Sequence, residues 1–274
     1  MKKAIPKLNK ILLATAVAAA FGVASTSAMA VVFPDFNVAE GSVPGSGVNN
    51  FTADKITGNY VQVISFDGAG NFAVSLRWNA GQFVADDGTN ALGTQLNSFG
   101  TDGYGLYALY TATGTFVTAG GVSTFTTNAG SGNLSVYIDP NNDTTFTAPA
   151  DGTTPWTTGM TGDPDFLIGT GTPSAGQGTL NPNLSTCDPG INCGSFGTTS
   201  SFALTAAGSA FFTSPVPFYN VTFQSGQLNN FDVTGTQTIN GSLDAIFSTV
   251  PEPGSLALLG IGLLGLGMSN YRRR

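Results

Sequence analysis

The sequence contains no histidine, and it has very few basic residues outside its two ends. The lack of histidine excludes Ser-His-Asp and Cys-His catalysis, as well as histidine-ligated zinc. Between residues 31 and 250 only Lys55 and Arg77 are basic while 15 residues are acidic, so this part has a net charge of about −13. Nucleic acid binding is excluded as well, because it requires cationic side chains that displace phosphate counterions. Such a surface attracts divalent cations instead.

The first 30 residues have the three parts of a secretory signal peptide. Four lysines stand among the first ten residues, an apolar run covers residues 11–23, and Ala28-Met29-Ala30 has the small-x-small pattern of a cleavage site. The apolar run is short for a membrane-spanning helix, which needs about 20 residues. We therefore predict export through the Sec machinery, removal of residues 1–30 by signal peptidase, and an extracellular domain over residues 31–249.

The last 25 residues combine a proline motif, a short apolar run and a cluster of arginines. They are Pro251, Glu252 and Pro253, residues 255–268, and Arg272, Arg273 and Arg274. As a helix the apolar run is about 21 Å long, which is less than the roughly 30 Å hydrocarbon core of a bilayer. Bilayer thinning and the reach of the arginines allow such a run to cross. We predict a sorting tail over residues 250–274 in which the apolar run at 255–268 forms a membrane helix, with the arginines on the cytoplasmic side.

This order of motif, apolar run and arginines resembles the PEP-CTERM sorting signal of Gram-negative envelope proteins. The resemblance implies recognition by an exosortase, a membrane cysteine transpeptidase that cuts near the Pro-Glu-Pro motif and releases or re-attaches the exported part. The two prolines fit this role, since they keep the segment extended and prevent it from joining a helix. We expect the tail to anchor the protein transiently in the inner membrane before the protein reaches the cell surface.

Four short segments of the exported part are similar to flocculation-associated PEP-CTERM proteins. These segments are residues 33–36, 51–60, 103–107 and 137–140. The similarity implies a non-enzymatic extracellular-matrix protein that holds cells and exopolysaccharide together in flocs or biofilms, and it brings no catalytic residues. The alternatives are a secreted carbohydrate-active enzyme and a glycan-binding module on a β-sandwich.

Short runs with alternating apolar residues recur through the exported part, separated by Gly, Asn and Asp turns. Residues 60–66 and 72–78 alternate in this way on either side of a hairpin loop at 67–71. Roughly nine to twelve such runs predict an all-β fold, a single antiparallel β-sandwich or jelly-roll-like domain. Residues 148–200 are rich in Pro, Gly and Thr and have little periodicity, so we predict a long surface excursion there.

The only two cysteines, Cys187 and Cys193, enclose a short segment that contains Asp-Pro-Gly. In an oxidising compartment this spacing predicts a disulfide that staples a turn. Such a short loop contributes roughly 2 kcal/mol to stability in the chain-entropy model. A redox or metal-binding pair is the alternative, but supporting ligands are lacking.

Asp139, Asn141 and Asp143 have the alternating oxygen spacing of a calcium-binding loop. The match to an EF-hand is incomplete, because Thr144 and Ala150 stand where that loop has glycine and a bidentate glutamate. An Asx-type turn after a strand explains the same residues. The sequence leaves Ca²⁺ and a plain turn as alternatives, and it requires no cofactor.

The acidic residues do not indicate a hydrolase. Glu40 is the single glutamate of the exported part, and it lies in a Gly- and Pro-containing stretch. A glycosidase needs two carboxyl groups that flank a sugar, and nothing singles out such a pair. We therefore expect no enzymatic activity.

Aromatic side chains offer a second route to carbohydrate, by stacking on sugar rings. Trp156 lies in the polar 148–200 stretch, so we predict that it is exposed and contacts a glycan. Core packing is the expected role of the other candidates, which are Trp78, Tyr104, Tyr107, Tyr110 and Tyr137.

Overall fold

The computed structural model describes residues 33–97, 103–159 and 162–248. The predicted signal peptide with its cleavage site lies outside these residues, as does the predicted sorting tail with its Pro-Glu-Pro motif, membrane helix and arginines. Within the described ranges, no helix has both the length and the apolar character that crossing a membrane requires.

The described chain is almost entirely β-structure, as predicted, with one short α-helix. In chain order its elements are β1 (Phe36–Ala39), a 3-10 turn (Glu40–Ser42), β2 (Asn50–Ala53), β3 (Lys55–Phe66), β4 (Asn71–Ala85), β5 (Asn90–Ala91), β6 (Gly105–Ala119), β7 (Val122–Thr127), β8 (Leu134–Asp139), β9 (Thr145–Thr147), β10 (Thr157–Gly159), β11 (Phe166–Gly171), β12 (Pro173–Leu180), β13 (Gly194–Ser200), β14 (Ala203–Leu204), α1 (Ala206–Phe211), β15 (Phe212–Ser214), β16 (Asn220–Ser225), β17 (Thr236–Ser242) and β18 (Asp244–Ser248).

Eight of these strands close into an antiparallel barrel in the order β3-β4-β6-β7-β12-β13-β16-β18. The ring is completed where Lys55 and Ile56 of β3 pair with Ile246 and Ala245 of β18. The predicted β-sandwich or jelly roll is therefore wrong. Alternating apolar residues are common to sandwiches and barrels, and the pairing that distinguishes them here joins residues about 190 positions apart.

One edge of β6 is shared by two partners, and this is where further strands leave the barrel. Residues 114–119 of β6 pair with β7 inside the ring, while residues 105–110 pair with β8. From β8 the sheet continues through β11 to β14. The edge of β3 divides in the same way between β17 and β18.

Alternate side chains of the barrel strands point inward and fill most of the interior. Trp78 of β4 is the largest of them, and its Nε1–H donates to the Leu243 carbonyl oxygen at 2.7 Å. Gly58 of β3 faces the indole, where a Cβ would collide with the ring and with the Asn79 carbonyl oxygen. An eight-stranded barrel is just wide enough to be filled by side chains or to hold one small ligand.

Residues 148–200 do not form the predicted surface excursion, because they include β11 and the barrel strands β12 and β13. The inward position Gly178 pairs with Phe125 on one side and Phe196 on the other. A Cβ at Gly178 would lie 3.0 Å from the Phe196 Cβ. Glycine makes room for its aromatic neighbours, and it thereby removes the apolar alternation that would have marked the strand.

Aromatic clusters occupy both ends of the barrel. At the end where β3 begins, α1 and the small sheet β15-β1-β2 add to the core, and the Phe36 ring lies 4.8 Å from the Phe247 ring. At the end where β3 finishes, the Phe66 ring lies 5.0 Å from Phe116 and 6.2 Å from Phe231. The second end holds the cavity described below.

Asp67 organises the hairpin loop between β3 and β4. Its Oδ1 accepts the backbone N–H groups of Ala69 at 2.7 Å and Asn71 at 3.0 Å, and its Oδ2 accepts from Asn71 Nδ2 at 2.6 Å. These bonds, above all the one from the Asn71 side chain, lower the pKa of Asp67. A carboxylate with a lowered pKa stabilises the fold above its unfolded-state pKa, and that stabilisation is lost as the pH falls through the folded-state pKa.

We therefore expect the Asp67→Ala variant to melt below the wild type at about pH 6, with a difference that disappears well below the ordinary aspartate pKa of about 4. Thermal melts of both proteins across this pH range test the prediction. A difference in Tm that stays constant across the range would contradict it, because the loop would then not depend on the Asp67 charge.

Candidate functional site

The barrel encloses a cavity of about 70 Å³ near the β3–β4 hairpin. Its inner wall is apolar and includes the buried side chains of Ile64, Val74 and Leu76. On the side of the cavity opposite this wall, Gln177 is exposed and Phe231 is half-buried. The cavity opens to solvent on that side. Pockets of this kind, apolar with a few polar groups, are the usual form of small-ligand sites.

The lining of the cavity also includes polar side chains. The Tyr110 hydroxyl of β6 and the Thr198 hydroxyl of β13 lie 2.8 Å apart across the barrel. Burial raises the pKa of Tyr110 to about 12, so its hydroxyl stays protonated at neutral pH. Gln62 lines the same cavity and is 7 % exposed, and its amide has no hydrogen-bond partner among the residues that the structure describes.

A segment at residues 226–231 covers one side of the cavity mouth, and the cysteine loop supports it. Cys187 and Cys193 form a disulfide in the connection between β12 and β13. The Cys193 N–H donates to the Leu228 carbonyl at 2.7 Å, and the Leu228 N–H donates to the Gly194 carbonyl at 2.9 Å. Because Leu228 lines the cavity, the disulfide loop helps to position the cavity wall.

The acidic turn after β8 has the hydrogen bonds of an Asx-type turn. Asp139 Oδ1 accepts the N–H of Asp143 at 3.2 Å, and Oδ2 accepts the N–H of Thr144 at 2.8 Å. The Thr144 hydroxyl donates to the Asp165 carboxylate, and Asn141 is exposed. Within the described ranges, no cluster of three or more His, Cys, Asp or Glu side chains is arranged to hold a metal ion. Calcium binding by Asp139, Asn141 and Asp143 stays a prediction.

The prediction that Trp156 is exposed is wrong. Its side chain is 8 % exposed, and its Nε1–H donates to the Ser75 carbonyl at 3.2 Å. The Arg77 guanidinium carbon lies 4.5 Å from the Phe146 ring centroid and 5.2 Å from that of Trp156. Trp156 and Phe146 therefore cover the outer face of β4, and the tryptophan packs there instead of presenting a face to a glycan.

The other aromatic candidates lie mainly in the core, as expected. Tyr107 is buried, and its ring stacks on the half-buried Tyr137 ring at a centroid distance of 5.1 Å. Trp78, Tyr104 and Tyr110 are buried inside the barrel. None of these rings is exposed.

Glu40, to which the sequence assigned no role, is fully buried in a polar cluster. Its Oε1 accepts from the Tyr104 hydroxyl and the Gln95 N–H, each at 2.9 Å, and its Oε2 accepts from Asn49 Nδ2 at 2.7 Å. Burial and the nearby Glu40 carboxylate raise the pKa of Tyr104 far above its ordinary value. The cluster joins the 3-10 turn to the end of the barrel.

The comparisons with known proteins concern the end of the chain. Residues 249–274 match the model of the PEP-CTERM protein-sorting motif. The chain carries a PEP-CTERM sorting motif. This match confirms the predicted sorting tail, and it implies export, processing by an exosortase, and membrane anchoring followed by surface localisation. Neither the curated proteins nor the solved structures provide a match to the chain.

The PEP-CTERM motif begins at residue 249, directly after β18 ends at Ser248. The folded barrel and the sorting signal therefore follow one another without a linker in the sequence. The similarity of the body to flocculation-associated PEP-CTERM proteins is not confirmed by these comparisons and stays a prediction.

Proposed function

We propose that this PEP-CTERM protein is a non-enzymatic component of the extracellular matrix that contributes to exopolysaccharide-associated aggregation of cells in flocs or biofilms. The observation that carries the proposal is the sorting motif at residues 249–274. This motif directs the barrel to the cell envelope, where it can meet extracellular polysaccharide. The absence of histidine from the whole sequence supports a role without catalysis.

The outer surface of the barrel supports contact with hydrated polysaccharide. Thr124 of β7, Thr179 of β12 and Ser195 of β13 are exposed and lie directly opposite one another across three strands. Their hydroxyl groups both donate and accept hydrogen bonds. The net charge of about −13 between residues 31 and 250 also favours the binding of divalent cations.

The proposal predicts that a strain without this protein, but with intact polysaccharide synthesis, settles more slowly than its parent. Full-length protein should restore settling, whereas a chain that ends at residue 248 should not, because it lacks the sorting signal. Total polysaccharide is measured in each strain as the control. A deletion strain that aggregates like its parent would overturn the proposal.

Mass spectrometry of the protein from wild-type cells examines the processing step separately. We expect a C-terminus close to Pro251–Pro253 in place of Arg274. An intact tail on all of the mature protein would show that the motif is not cleaved.

A further inference from the structure

Gln62 is a polar side chain of the barrel interior that lines the cavity. It stands between Tyr60 and Ile64 on the inward face of β3, where other positions are apolar or aromatic. A primary amide has two donors and an acceptor, and burying it without partners costs free energy. No described residue hydrogen-bonds to this amide, although it lines a cavity that opens to solvent.

The size and polarity of the cavity restrict what this amide can bind. A dry cavity of about 150 Å³ holds benzene, so about 70 Å³ admits a group of roughly three non-hydrogen atoms, the size of an acetyl group. The group must pair with an amide at one end, and it must place an apolar part against Ile64 and Val74. The cavity lining contains no Asp, Glu, Lys or Arg, which favours an uncharged group.

The residues near the mouth of the cavity indicate which kind of molecule carries the bound group. Phe196 and Phe231 line the cavity, and both residues are only half-buried. Apolar ring faces of this kind pack against the C–H face of a sugar ring. Gln177 beside them offers hydrogen bonds for sugar hydroxyls. The overall negative charge of the exported part opposes a polyanionic chain.

We propose that the barrel cavity binds the acetamido group of an N-acetylated amino sugar in a glycan chain. The acetamido methyl group lies against the apolar wall, its carbonyl oxygen accepts a hydrogen bond from the Gln62 amide N–H, and the sugar ring packs on Phe196 and Phe231. This inference rests on the proposed function, since it names the class of polysaccharide that the matrix protein recognises. No covalent step is involved.

Binding of two matched trisaccharides to the exported protein, purified from cells, tests the inference. By titration calorimetry, the trimer of N-acetylglucosamine should bind at least ten times more tightly than the glucose trimer of the same linkage, which is also uncharged and lacks the acetamido groups. The Gln62→Leu variant should lose at least tenfold in affinity for the acetylated trimer. Its Tm should stay close to that of the wild type, because leucine keeps the approximate volume of the side chain and no described residue loses a hydrogen bond.

The control is Gln224→Leu, a substitution at an exposed position of β16 outside the cavity lining, which should leave binding unchanged. Equal affinity for the two trimers, no binding of either, or unchanged binding by a folded Gln62→Leu variant would each overturn the inference. The settling assay is independent of these results. Normal settling of the deletion strain together with selective trimer binding would reject the proposed function and leave the cavity assignment standing.

Discussion

The Trp78→Ala variant is expected to lose about 5 kcal/mol of unfolding free energy. Trp78 is 1 % exposed and lies inside the barrel, where its ring is 5.3 Å from the Phe223 ring. Truncation removes the ring, leaves a cavity between facing strands, and deprives the Leu243 carbonyl of its donor. The close approach of Gly58 limits how far the backbone can move inward to fill the space. A loss of this size approaches the whole stability of many domains, which is about 5–15 kcal/mol.

Chemical unfolding followed by circular dichroism measures this loss. The matched control is Trp78→Phe, which keeps an aromatic ring but cannot donate to Leu243, and we expect it to cost about 1–3 kcal/mol. A Trp78→Ala variant within about 1 kcal/mol of the wild type would show that the indole is not a central part of the core.

The Glu40→Ala variant is expected to lose about 4 kcal/mol of unfolding free energy. The substitution leaves three donors without their acceptor, namely the Tyr104 hydroxyl, the Gln95 N–H and the Asn49 amide. Each buried donor that loses its partner costs about 1–3 kcal/mol. Tyr104 is itself fully buried, so water does not easily replace the carboxylate.

Two further variants separate the Glu40 cluster from a general effect of charge. Removing an exposed acid by Asp163→Ala should change stability by less than about 0.5 kcal/mol. Glu40→Gln should fall between this control and Glu40→Ala, because an amide has a single oxygen to offer three donors. If Glu40→Ala and Asp163→Ala have the same stability, the cluster does not hold the 3-10 turn in place.

Local β-structure could be predicted from the sequence where side chains alternate clearly. The alternating runs at 60–66 and 72–78 lie within β3 and β4, and their inward positions carry large apolar or aromatic groups. The strands β12 and β13 were missed because their inward positions include Gly176 and Gly178 in β12 and the polar Thr198 and Ser200 in β13, which break the apolar pattern. Barrel closure could not be predicted either, since it depends on pairing between β3 and β18, the first and last strands of the ring.

The candidate site was only partly visible in the sequence. The polar Gln62 on an otherwise apolar face was a detectable signal, but its meaning required the cavity that surrounds it. The polar composition of the surrounding stretch predicted that Trp156 is exposed. In the structure Trp156 packs on the outer face of β4, and this contact buries it. Glu40 gave no local pattern, because its partners Asn49, Gln95 and Tyr104 come from three separate parts of the chain.

The position of β18 also sets the order of events during export. Translocation proceeds from the N-terminus, so β3 emerges early. Its partner β18 lies about 190 residues further along the chain and emerges much later. Until residue 248 has crossed the membrane, β3 and β16 both present unpaired edges, which are prone to association with other chains. The sorting motif begins at the next residue. The ring can therefore close only after nearly all of the chain ahead of the sorting motif has been exported.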